Sequence, residues 1–140
     1  MKIVFFGTPD FVIPVADSLL SATSHQLVAV VTNPDRPVGR KQILTPSPIK
    51  QWATNHQISV FIPEKFDDNF KLKIKNLKFD IGILAAYGKI IPQEIIDLFP
   101  KGILVVHPSL LPIYRGASPI QAAILNGDRE TGVTIIQMDE

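Results

Sequence analysis

A chain of 140 residues, 46% of them hydrophobic, is long enough to bury one domain core and short for several. Its 14 Lys and Arg against 13 Asp and Glu leave a formal charge of +1, so no global basic field points to nucleic acid. The chain has no cysteine, which excludes a disulfide scaffold and thiolate metal sites and agrees with a cytoplasmic protein.

The opening MKIVFFGTPDF carries an apolar run of about five residues, below the roughly 7–15 of a signal-peptide core. No apolar stretch approaches the ~20 residues of a membrane span, so no membrane partner is expected. KIVFF (2–6) reads as the first strand, and the first helix covers 13–22, beginning near Ile13 because Pro14 fits only a first turn. LVAVVT (27–32) is the second strand. The connection TNPDRPVGRKQILTPSP (32–48) is longer than an ordinary strand-to-helix loop and carries Arg36, Arg40 and Lys41. On length alone it is either a functional loop or a solvated surface excursion.

A helix at 48–56 starts from Ser47-Pro48, an N-cap hydroxyl followed by proline at the first helical position. Strands follow at 59–62, 80–86, 102–107 and 132–138, with helices at 66–77, 92–98 and 118–126. Ser118-Pro119 repeats the cap pattern at the last helix. Several strands are apolar at consecutive positions, as strands covered on both faces are. The alternation predicts an α/β domain, Rossmann-like and doubly wound, with a mostly parallel sheet.

Three stretches carry candidate chemistry. In FFGTPDF (5–11) the glycine follows a strand, but neither GxGxxG nor GxxxxGK[ST] is present, so Gly7 is read first as the small residue a tight turn needs. His107 ends an apolar strand at the sheet edge where ligands gather, and a histidine there serves as a general acid or steadies an oxyanion. A structural, backbone-bonded histidine is the alternative. No cysteine or carboxylate stands near it, so no metal is expected, and Ser109 lacks a GxSxG setting. In AAYGKIIP (85–92), Tyr87 and Lys89 project beside His107 if the two strands are neighbours, and Tyr87, Ile90 and Ile91 either wall a flat heteroaromatic ligand or close the core.

FFGTPDF, TNPDRPVGR with TPSPIK, AAYGKIIP, HPSLLPIYRGASPIQ and TGVTIIQMD together resemble the N-terminal catalytic domain of the methionyl-tRNA formyltransferases, in order and spacing, over essentially the whole chain. HxSLLPxYRGxxPI alone would mark the broader folate-dependent formyltransferases; the PDRPxGR loop with SPxK marks the tRNA-directed ones.

The resemblance implies transfer of a formyl group from 10-formyltetrahydrofolate, a co-substrate, to the amino group of initiator methionyl-tRNA. It places Ser109, Leu110, Leu111 and Pro112 along the folate site and Tyr87, Gly88, Lys89, Ile90 and Ile91 beside the pterin. Arg36, Arg40 and Lys41 belong to the loop that meets the acceptor stem, with Arg40 foremost. Catalysis in that family uses an Asn-x-His pair, which alternation puts on one face of a strand, and a later aspartate. Here His107 stands at the histidine position and Val105 at the asparagine position.

The family's aspartate lies in a GLDTG-like segment just beyond IIQMDE, so Asp139 does not take its role. Residues 1–140 are therefore expected to be part of the catalytic domain, truncated at its C-terminal end, without the C-terminal tRNA-binding barrel-like domain. The full-length family is expected to be monomeric. In the fragment, apolar surface near Ile135 and Ile136 is expected to drive self-association. Competing readings are another folate-dependent formyltransferase, acting on a nucleotide sugar or glycinamide ribonucleotide, and a catalytically impaired folate- or tRNA-binding fragment. An ordinary dinucleotide-binding domain ranks last.

Overall fold

The computed structural model describes residues 1–139. In chain order the elements are β1 (Lys2–Gly7), a single 3₁₀ turn (Asp10–Val12), α1 (Ile13–Ser21), β2 (Gln26–Val31), β3 (Arg36–Val38) and β4 (Ile43–Thr45). There follow α2 (Pro48–Asn55), β5 (Ser59–Phe61), α3 (Asp68–Lys75), β6 (Ile81–Ala85), α4 (Gln93–Ile96), β7 (Ile103–His107), α5 (Pro119–Leu125) and β8 (Thr134–Gln137). Six strands form one sheet in the order β5-β2-β1-β6-β7-β8. All neighbours run parallel except β8, which is antiparallel to β7.

Strand alternation sorts the core onto two faces. Ile3 and Phe5 of β1 pack with Val12, Ala16 of α1, and Ile49, Trp52 and Ala53 of α2. Val4 and Phe6 point the other way, into a cluster with Phe70 and Ile74 of α3 and Ile95 and Ile96 of α4. Burial on both faces is why these strands read as nearly continuous apolar runs, and the doubly wound architecture expected from that pattern is the one observed.

Local chemistry starts the helices much as their sequences indicate. The Ser47 hydroxyl accepts from the Lys50 N–H at 3.3 Å, and the Asp67 carboxylate accepts from the Phe70 N–H at 2.8 Å. Ser118 departs from expectation. It precedes α5 with φ −135° and ψ 49°, outside the extended cap geometry, and its hydroxyl makes no cap bond. Helix α4 is also shorter than 92–98, because Leu98 and Phe99 close tight turns onto the carbonyls of Ile95 and Ile96.

The chain moves from β1 to one side of the sheet through β2 and β5, and later to the other side through β6 and β7. The crevice at the carboxyl ends of β1 and β6 is the switch point of such a sheet, where ligands bind. At this crevice Gly7 is sterically required: a Cβ there would lie 2.7 Å from a Phe5 ring carbon, 3.0 Å from Val12 and 3.2 Å from the Ala85 carbonyl. That crowding accounts for the glycine through packing of the turn, without a phosphate.

No helix is long and apolar enough to cross a membrane among the described residues. Strand β8 lies at the sheet edge, with Ile135 and Ile136 exposed and Val133, Ile124 and Leu125 exposed nearby in sequence. The chain is accordingly expected to self-associate with rising concentration, and Ile135→Lys to suppress this. A sharp monomer in sedimentation velocity across a wide concentration range would contradict it.

Candidate active site

Three strand ends are tied together at the switch point. The Thr8 hydroxyl donates to the Tyr87 carbonyl at 3.1 Å, and the Asn33 amide nitrogen donates to both the Thr8 hydroxyl, at 3.0 Å, and the Tyr87 carbonyl. These bonds join the ends of β1, β2 and β6. Neither Thr8 nor Asn33 stands out in the sequence, where a polar residue after an apolar run looks like any strand end.

Beside this node lies a cavity of about 400 Å³ with largely apolar walls from Phe11, Leu84, Val105, Val106 and Ile120, closed by His107, Pro108 and Gly116. Tyr87 and Gly88 border it. Val105 and His107, two apart on one face of β7, both reach it, and Val106 lines it from the other face. A second, more open cavity of about 520 Å³ is lined by His107, Leu111, Pro112, Arg115, Gly116 and Ile136. His107 and Gly116 are common to the two.

The remaining sequence candidates scatter. Tyr87 sends its ring into the core, edge-on to Phe6 at 5.6 Å, and Ile91 is likewise buried. Ile90 is 93% exposed. Lys89 donates to the carbonyls of Pro63, at 2.7 Å, and Glu64, at 3.3 Å, which ties its loop to the segment after β5. Ser109 is fully buried and donates to the Ile113 carbonyl at 2.7 Å. Its own carbonyl accepts from the Thr134 hydroxyl, which also accepts from the Leu111 N–H, so β8 holds the Ser109–Pro112 turn in place. Leu110 is half-exposed and covers Gly132, where a Cβ would come within 2.5 Å of a Leu110 methyl.

The 32–48 connection is more ordered than a loop. Its β3 and β4 pair antiparallel, Arg36 opposite Thr45 and Val38 opposite Ile43, and the turn between them holds Gly39 and Gln42 at positive φ. Arg40 and Lys41 occupy that turn, and Arg36, Arg40 and Lys41 are exposed and in no ion pair among the described residues. Val38, Ile43 and Leu44 are exposed on the same hairpin. Phe11, Arg115, Ile120 and Gln121 line the two cavities without having been singled out from the sequence; only the fold brings the start of α5 over the end of β7.

The Tyr87 hydroxyl is buried without a hydrogen-bond partner among the described residues, and burial pushes its pKa well above the ordinary value. The native state therefore keeps a proton that the unfolded chain releases near pH 10. Stability is expected to be full below pH 10 and to fall as pH rises above it. In Tyr87→Phe that alkaline loss should shrink by the Tyr87 share and neutral-pH stability should rise by about 1 kcal/mol, because an orphaned buried donor is removed. Urea unfolding of both proteins at pH 7 and pH 10.5 checks the pair of outcomes.

The formyl transferase family model matches residues 1–140. The chain belongs to the formyl transferase family. It is 47% identical over 138 residues to the methionyl-tRNA formyltransferase of Staphylococcus epidermidis and 49% identical over 140 residues to that of Legionella pneumophila (strain Paris). These alignments cover 98% and 99% of this chain but 44% of each relative, so the chain spans a little under half the length of the curated relatives it matches. Among solved structures, it superposes on phosphoribosylglycinamide formyltransferase from Bacillus halodurans with a TM-score of 0.77 at 20% identity, covering 100% of this chain and 73% of that one. A formyltetrahydrofolate deformylase from Pseudomonas syringae gives 0.72 at 19% identity, covering 99% of this chain and 46% of that one. At such identities the likeness is one of fold. It places the α/β sheet of this formyl transferase chain among Rossmann-like relatives.

Proposed function

We propose that this chain is the amino-terminal part of a methionyl-tRNA formyltransferase, which moves a formyl group from 10-formyltetrahydrofolate to the amino group of initiator methionyl-tRNA in the cytoplasm. The observation that carries the reading is the junction of two cavities at His107. A two-substrate transfer needs donor and acceptor to meet at one polar group, and the apolar cavity suits a flat heteroaromatic ring. Ser109–Pro112 and the Tyr87–Ile91 loop contribute differently in this reading. Tyr87, Gly88, Leu111 and Pro112 border ligand space, whereas Ser109, Lys89 and Ile91 hold the walls in position.

His107 is the polar side chain available to both cavities, in position to take a proton from the attacking amine or steady charge on the formyl oxygen. The Arg36–Lys41 hairpin presents three exposed cations beside exposed Val38, Ile43 and Leu44, a surface suited to phosphates and to stacking against an RNA end. The C-terminal barrel-like tRNA-binding domain belongs, in this reading, to the length that relatives have beyond this match.

Calorimetric titration with a non-transferable formyl-folate analogue tests the donor half. Saturable binding is expected, and Ile120→Trp, which fills the apolar cavity from a partly exposed position, should abolish it. No binding by a folded chain would sink the donor assignment. For the acceptor half, Arg40→Glu should weaken tRNA binding uniformly across sequences and lower the salt dependence by about one charge.

A further inference from the structure

His107 Nε2 lies 3.0 Å from the backbone carbonyl of Tyr114. A carbonyl oxygen only accepts, so the proton of a neutral imidazole sits on Nε2 and the lone pair on Nδ1. The carbonyl that selects this tautomer is not placed by regular secondary structure. Tyr114 lies in the Pro- and Gly-containing turn between β7 and α5, at φ +54°, a conformation uncommon for a bulky residue. Something outside the backbone must hold it there.

The hold is the phenol. The Tyr114 hydroxyl donates to the Asp128 carboxylate at 2.6 Å and accepts from the Asn126 amide at 2.8 Å. Asn126 caps the carboxyl end of α5, and Asp128 follows with its N–H bonded to the Ala123 carbonyl. Ala123 is buried, so both partners of the phenol are seated on an anchored helix end. The carboxylate also raises the Tyr114 pKa, as expected for a hydroxyl whose proton is engaged.

We propose that Tyr114, held by Asp128 and Asn126, is a positioning residue whose carbonyl selects the tautomer of His107 with hydrogen on Nε2 and the lone pair on Nδ1. The importance of this for formyl transfer rests on the function proposed above; the tautomer itself does not. A test that needs neither folate nor acceptor separates the two.

Nitrogen-15 correlation spectra of the labelled chain report which ring nitrogen of His107 bears hydrogen, with His107→Gln identifying its signals among those of His25 and His56. The expected wild-type pattern is a protonated Nε2 and a lone-pair Nδ1. In Tyr114→Phe and Asp128→Ala the two shifts should converge as the other tautomer rises roughly 2- to 10-fold, the effect of losing one ordinary hydrogen bond. Asp128→Asn, whose amide oxygen still accepts from the phenol, should keep the wild-type pattern. A proton on Nδ1 in the wild type, or wild-type spectra from folded Tyr114→Phe and Asp128→Ala, would overturn the proposal. Loss of formyl-folate binding with the tautomer pattern intact would count against the function alone.

Discussion

Under the function proposed above, replacing Val105 with asparagine is expected to raise formyl transfer by about 10²- to 10³-fold, the usual worth of one preorganised oxyanion donor. Val105 lines the apolar cavity two residues before His107, with its backbone paired between Leu84 of β6 and Ile136 of β8. Those neighbours fix the side chain's direction, so an amide at this position would project into the same space as the imidazole. Valine offers no donor there.

The gain has a structural cost. Val105 packs partly against the α3–α4 side of the core, and a polar amide in that contact is expected to cost about 1–3 kcal/mol of stability if it finds no partner. The measurement is the rate of tetrahydrofolate release with initiator methionyl-tRNA as acceptor, using residues 1–140 carried within a chain of the relatives' full length. A folded Val105→Asn protein with an unchanged rate would show that the oxyanion is met by another group.

The second large effect is on stability. Phe6→Ala should destabilise the chain by about 3–5 kcal/mol, a large share of the roughly 5–15 kcal/mol available to a domain. Phe6 is fully buried on the central strand, with its ring edge-on to Tyr87 at 5.6 Å and to Phe99 at 5.8 Å. The three rings join β1, the loop after β6 and the segment after α4, so the cavity left behind cannot close without moving the switch point. Phe11 is the internal comparison. It is 55% exposed at the rim of the apolar cavity, and Phe11→Ala should change stability by only about 0.5 kcal/mol. Urea midpoints at constant slope compare the two; a Phe6→Ala loss below about 1.5 kcal/mol would mean that the neighbouring rings collapse into the space.

What was legible in the sequence follows from how local each signal is. Apolar runs on consecutive positions in β1, β2 and β7 announced strands covered on both faces, and Ser47-Pro48 announced the start of α2. The β3–β4 hairpin was hidden, because prolines at 34, 37, 46 and 48 and a short exposed register resemble a loop until the two halves pair. Ser118 shows the limit of a local rule. Its hydroxyl precedes a proline as a cap should, yet the chain leaves the Arg115–Ala117 turn with Ser118 outside the extended cap geometry and no cap bond forms.

The sequence by itself determined the α/β class, the order of the six main strands and five helices, the family through the resemblance of HPSLLPIYRGASPIQ and its companion stretches, and the standing of His107 and Val105 as neighbours on one strand face. The class and the shared strand face depend on spacing along the chain, where periods of 2 and 3.6 residues decide which side chains share a side. Only the tertiary structure decided which of the candidates meet. Tyr87 went to the core, Lys89 to the Pro63 and Glu64 carbonyls, and Ser109 to an internal bond, while Phe11, Arg115 and Ile120 came to the cavities. The reason is separation: the bond that closes the switch point joins Thr8 to Tyr87, 79 residues apart, and no local pattern carries the direction of a side chain across such a distance.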